Sequence, residues 1–171
     1  MDRSLSFVIA RCFVVLEMNV LCSEVADRLD ALHSDMVRAI AGLPNEALDW
    51  SPGAEMNSLA VLAVHAAGAE RFWIGDMVGQ ASSGRDRGAE FRALGWNEAR
   101  LIARLDDVLA HSRNVMEHLS TQELEATRIS PRDGREFTVA WCLLHALEHS
   151  AVHLGHMQIV RQLWEMSGRG S

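Results

Sequence analysis

Basic residues are scarce in this chain: 16 Lys and Arg stand against 23 Asp and Glu, a formal charge of −7. A nucleic-acid surface needs clustered cations to meet phosphates. The few here are scattered, so no nucleic-acid partner is expected. Cysteine is sparse as well. Cys12, Cys22 and Cys142 form no CxxC pair and no even framework, which excludes a disulfide scaffold and points to a reduced, cytoplasmic setting. Cys142 reads as a buried structural thiol. Long apolar runs are missing too. The run over residues 5–10 is short, and Arg11, Glu17 and Asn19 break the stretch after it. A membrane span needs ~20 nearly uncharged residues, and a secretory leader needs a small-residue cleavage site. Neither pattern is present, so no membrane association is expected.

What remains is an apolar-rich chain of 171 residues, with nearly half its side chains hydrophobic, enough to bury one core. Residues 1–20 read as an N-terminal extension or the start of the first helix. From Leu21, the residues Val25, Leu29, Leu32, Met36, Ile40 and Leu43 recur at three- and four-residue steps, the spacing of one helix face. Gly42 and Pro44 end that helix, and residues 44–53 form a connector carrying Trp50 and Pro52. Asn57 or Ser58 caps a second helix reaching Val78. Residues 79–90 are rich in Gly, Ser and charge and read as a mobile loop. Asn97 and Glu98 open a third helix with the stripe Leu101, Ile102, Leu105, Val108, Leu109, Val115, Met116 and Leu119. A turn at Pro131, Asp133 and Gly134 precedes Thr138, which caps a fourth helix running to Met166 and stopped by Gly168. With no strand pattern competing, residues 21–166 read as an all-α four-helix bundle, and 167–171 as a disordered tail.

Eight histidines are present, four of them in one stretch: His145, His149, His153 and His156. On a helix turning ~100° per residue these four lie within roughly 80° of one another. Imidazoles one turn apart meet on a helix face and can chelate one ion. A third ligand is needed, and His65 is the best candidate because Leu62, Ala66 and Ala69 place it on an apolar face, where an unpartnered imidazole is costly. His33, His111 and His118 stand alone on other helices and read as solvated. Two registers of the histidine row are open. His145, Glu148 and His149 spell HxxEH, an inverted zinc-protease signature with Glu148 as base. That chemistry needs a downstream carboxylate ligand, and the only acid after His149 is Glu165, about four turns on along the same helix. No ExxH pair supports a di-iron site. Neither Glu70 nor Glu148 is forced inward by its helix angle, so no general base stands out, and Glu148 reads as a solvated charge.

Residues 143–164 resemble the last helix of the DinB/YfiT-like metalloenzyme superfamily, in His149, His153, Gly155, His156 and Arg161. Residues 57–79 are similar to that family's second helix, in Asn57, Ser58, His65, Phe72 and Trp73, and residues 42–52 to its first loop. Leu154 stands where the family often has Arg. The resemblance implies an up-down-down-up bundle and one divalent transition metal, zinc or nickel, on His65, His149 and His153, with His145 and His156 outside. Three neutral nitrogens and an open position make a catalytic geometry. The family includes mycothiol-dependent maleylpyruvate isomerases and low-molecular-weight-thiol S-transferases, so a metal-dependent thiol transferase or isomerase acting on a small molecule is expected. A metal-dependent hydrolase and a non-catalytic metal-binding stress protein are the alternatives. Five tryptophans, the apolar N-terminal run and the habit of the family also lead us to expect a homodimer. The loops over 79–90 and 126–137 would wall the substrate, with Arg85, Arg87, Arg132 and Arg135 available to grip carboxylates.

Overall fold

The computed structural model describes residues 18–168; the greater part of the 1–20 extension lies outside them. Four long helices dominate: α1 (Val20–Ile40), α3 (Leu59–Glu70), α5 (Glu98–Glu117) and α6 (Val139–Met166), with short helices α2 (Asn45–Asp49) and α4 (Arg87–Glu90) between them. Over Arg71–Val78 the α3 helix continues as a wider π segment. Each long helix starts where a short polar side chain satisfies a free backbone N–H. Asn19 accepts from Cys22, Ser58 from Val61, Asn97 from Arg100 and Thr138 from Trp141. Such a cap contributes about 1 kcal/mol.

The expected stops are also in place. Gly42 takes the left-handed conformation (φ 72°) after α1, and Arg161 reaches over from α6 to donate to the carbonyls of Arg38 and Ala41 at 2.8 and 3.1 Å. That is the physical use of an arginine so near the end of the chain: it closes the C-terminus of α1 and ties it to α6. Ser167 and Gly168 form the turn that ends α6, and 169–171 lie outside the described residues. Three connectors hold more structure than expected, the 79–90 segment through α4. Residues 44–53 contain α2, and the turn at Pro131 and Gly134 joins two three-residue antiparallel strands, β1 (Thr127–Ile129) and β2 (Glu136–Thr138), pairing Arg128 with Phe137. Elements this short carry no periodicity to read.

The core divides into two apolar halves. The lower half includes Cys22, Val25, Leu29, Phe72, Ile74, Met116, Val139, Cys142 and Leu143. The upper half includes Met36, Ile40, Leu59, Leu62, Leu101, Leu105, Leu154 and Met157. Chain order through these halves gives the direction of each helix. α1 and α6 run from lower to upper, α3 and α5 from upper to lower, which is the up-down-down-up order. α3 is buried on every side and packs between α5 and α6. Because α3 and α5 run in the same direction, their connector must return along the length of the bundle.

Between the apolar halves lies a polar belt. His33 of α1 is buried, contrary to the solvated reading, with Nε2 2.6 Å from a carboxylate oxygen of Glu70, whose other oxygen accepts from the Ser112 hydroxyl at 2.7 Å. Three helices are thus tied at one level. The buried Glu70 carboxylate survives there because His33 Nε2 and the Ser112 hydroxyl each engage one of its oxygens. On α6, His149 and Ser150 lie between the lower residues ending at Ala146 and the upper ones beginning at Leu154, whereas His65 lies among upper-half residues of α3.

Candidate metal centre

α3 and α6 bring His65, His149 and His153 together. One nitrogen from each lies within 4.8 Å of the others, and the rings approach at 5.2 Å (His65–His149), 4.9 Å (His65–His153) and 4.4 Å (His149–His153). The pair on α6 meets because residues four apart share a helix face. His65 faces them from a helix with no solvent side. Burial pushes the pKa of His149 down to about 3 and that of His153 to about 4, with the neighbouring imidazoles adding to the shift. Both are therefore neutral near pH 7, the form that ligates.

The Nδ1 atoms of His149 and His153 are buried and have no hydrogen-bond partner among the described residues. A buried imidazole nitrogen normally finds a donor or acceptor. His33 Nδ1 and His111 Nε2 lack partners too, so it is the approach of one nitrogen from each of three rings to within 4.8 Å that suits a shared cation. A divalent transition metal bound to imidazoles fits this donor set.

Sequence reading missed the third ring's partner. His65 Nδ1 lies 2.9 Å from Oε2 of Glu90, and Arg85 grips the same carboxylate with two hydrogen bonds, Nε to Oε1 at 2.6 Å and Nη2 to Oε2 at 2.7 Å. Burial alone would raise the Glu90 pKa, but the bonds from Arg85 and His65 outweigh it and hold the carboxyl below the usual range. The 79–90 segment, expected as a loop, is tied to the bundle by these and further bonds and ends in α4. Arg71 donates to Asp76 and to the Ala81 carbonyl, Asp76 accepts from the backbone and hydroxyl of Ser83, and Asp86 caps α4. Only the Asp86 cap, three residues before Ala89, was a usable local signal; that Glu90 turns inward is set by contacts distant in sequence.

The remaining candidates separate clearly. His145 stacks on Trp141 (4.6 Å) and meets the edge of Trp73 (4.7 Å), 6.0 Å from the His149 ring. Glu148 is exposed, its carboxylate 3.7 Å from His145 Nδ1, so HxxEH places no base over the three rings. His156 is exposed, 5.6 Å from His153. His118 lies on the surface and His111 is half-buried against Arg71. Cys142 is buried, and desolvation raises its thiol to about 11, a structural cysteine. Of the four loop arginines, Arg85 is engaged by Glu90 and Arg135 by Asp133. Arg87 and Arg132 line a cavity of about 260 Å³ beside Phe72, with the Arg132 guanidinium 5.4 Å from that ring.

A family model described as mycothiol-S-transferase matches residues 24–165. The chain belongs to the mycothiol-S-transferase family. Solved structures agree on the fold of this DinB-like member. A DinB-like protein of Bacillus subtilis aligns with TM-score 0.61 at 15% identity over 87% of this chain and 92% of its own. YfiT of Bacillus subtilis, described as a probable metal-dependent hydrolase with an unusual four-helix bundle topology, aligns with TM-score 0.66 at 14% identity over 85% and 87%. A mycothiol-dependent maleylpyruvate isomerase aligns with TM-score 0.60 at 14% identity, over 80% of this chain but 60% of its own. No curated protein sequence matches. The family model spans both helices that carry the three histidines.

Proposed function

We propose that this mycothiol-S-transferase family member holds one divalent transition-metal ion, zinc or nickel, on His65, His149 and His153, and is a thiol-dependent transferase or isomerase of a small electrophile. The observation that carries the reading is the convergence of three imidazoles, one nitrogen of each within 4.8 Å of the others. A metal bound there with an open position would supply Lewis acidity, which favours a thiolate over a thiol.

The family match favours a thiol over water as the nucleophile. Glu90 is engaged with Arg85 and His65, Glu70 with His33 and Ser112, and Glu148 faces solvent. A metal on three imidazoles ionises bound water and bound thiol alike, so the engaged carboxylates do not choose between the two nucleophiles and the choice rests on the family match. Trp73, Phe137, Trp141 and His145 form a continuous aromatic wall leading to His149, apolar surface for the body of a substrate. Arg87, over the Phe91 ring, and Arg132, over the Phe72 ring, make no ion pair among the described residues and are available to hold an anionic group. A cytoplasmic homodimer completes the proposal; light scattering showing a monomer at tens of micromolar would remove the dimer from it.

The functional reading is tested with cobalt-substituted protein titrated with mycothiol, bacillithiol and glutathione. A sulfur-to-cobalt charge-transfer band, absent in His65→Ala, is the expected result. No spectral change with any thiol, together with no turnover of a generic electrophile, would overturn it in favour of a hydrolase or a non-catalytic metal-binding protein.

A further inference from the structure

Resting on the metal reading above, we infer that Glu90, clamped by Arg85, is a positioning residue that fixes the tautomer and angle of His65 and couples the α3–α5 connector to metal occupancy. An ionised carboxylate only accepts hydrogen bonds. Oε2 of Glu90 receives both Arg85 Nη2 at 2.7 Å and His65 Nδ1 at 2.9 Å. His65 Nδ1 must therefore carry its hydrogen, which leaves Nε2 with the free lone pair. The 3.5 Å approach of Arg85 Nη2 to His65 Nδ1 is then two donors sharing one acceptor.

The backbone is shaped for this carboxylate. A Cβ on Gly68, three residues after His65 on α3, would lie 2.0 Å from Glu90 Oε1, so the missing side chain is the notch that admits it. Glu90 and His65 are both more than nine-tenths buried, and α4 is held by its Asp86 cap. The connector, returning along the bundle, reaches His65 through the Glu90 carboxylate, the Arg85 guanidinium and the Phe91 ring, whose centroid lies 4.5 Å from that of His65; of these, Glu90 alone accepts a hydrogen bond from the imidazole. A histidine ligand whose second nitrogen is fixed by a carboxylate is better oriented and more basic, and loss of such a partner typically lowers metal affinity by about 10- to 100-fold.

The test is cobalt affinity, measured by chelator competition, with the d–d spectrum recorded for wild type, Glu90→Ala, Glu90→Gln, Arg85→Ala and the exposed control Glu148→Ala. Glu90→Ala is expected to weaken cobalt binding by about 10- to 100-fold and to shift the d–d bands at unchanged stoichiometry. Glu90→Gln should recover part of the affinity, because its amide oxygen still accepts from His65, and Arg85→Ala should fall between, while Glu148→Ala matches wild type. Metal loading should slow amide exchange over residues 85–91 in wild type and not in Glu90→Ala. Wild-type affinity and spectrum in Glu90→Ala would overturn the clamp and leave the metal centre standing; if that variant does not fold, wild-type values in both Glu90→Gln and Arg85→Ala would overturn it equally. A wild type that takes no cobalt would overturn the metal centre itself, and the clamp with it.

Discussion

His149 and His153 are poor bases in the folded chain because desolvation and neighbouring imidazoles oppose their charged forms, to about 3 and about 4. The unfolded chain takes up these protons below about 6.5, so the stability they contribute is present above that value and is lost as pH falls toward the folded values. His33 runs the other way. Burial would lower its pKa, but the hydrogen bond and charge of Glu70 raise it overall. Its contribution is therefore full below about 6.5 and is lost as pH rises through the raised folded value. Denaturant unfolding of metal-free protein between about pH 4 and 8 should show greatest stability near 6.5. His149→Gln should flatten the acid limb and His33→Gln the alkaline limb; a flat wild-type profile would contradict both assignments. The ligand row was legible because residues four apart share a helix face. His33 looked solvated because its partner Glu70 lies 37 positions away, and sequence spacing says nothing about pairs between helices. Glu90 was missed for the same reason.

At the scale of elements, caps and periodicity placed the long helices to within a few residues, since each rests on local chemistry: Ser58, Asn97 and Thr138 all cap as expected. The connectors were less legible because their order comes from what they dock against. Two glycines show the difference. Gly68 is required by tertiary contact, its absent Cβ leaving room for Glu90, whereas a Cβ on Gly155 of α6 would meet nothing within 4 Å. Gly155→Ala should raise the melting temperature, since alanine in a helix interior is better than glycine by roughly 0.5–1 kcal/mol. Gly68→Ala should lower it despite the same propensity gain, because forcing a close contact in a packed core costs about 1–3 kcal/mol. Calorimetry of both variants checks this; an unchanged or higher melting temperature in Gly68→Ala would mean that Glu90 does not sit in that notch.

For the molecule as a whole, the up-down-down-up order is what places His65 opposite the α6 row and sends the α3–α5 connector past it. No described helix is long and apolar enough to cross a membrane. The tryptophan argument for a dimer is weakened by the fold, because Trp73 and Trp164 are buried within one chain and Trp141 is the exposed one. Exposed apolar residues other than Trp141 do run along α6, in Leu144, Val152 and Ile159, the surface on which the proposed second copy would seat. If it does, Leu144→Glu with Val152→Glu should convert a dimer of this 18.9 kDa chain to monomer in light scattering; an unchanged dimer mass would place the interface elsewhere. All of these features serve one centre, and its metal content is the most direct test. Protein saturated with zinc or nickel, desalted and analysed by elemental mass spectrometry should carry about one ion per chain, and His149→Ala none. Metal-free wild type, or His149→Ala retaining a full equivalent, would contradict the three-histidine site.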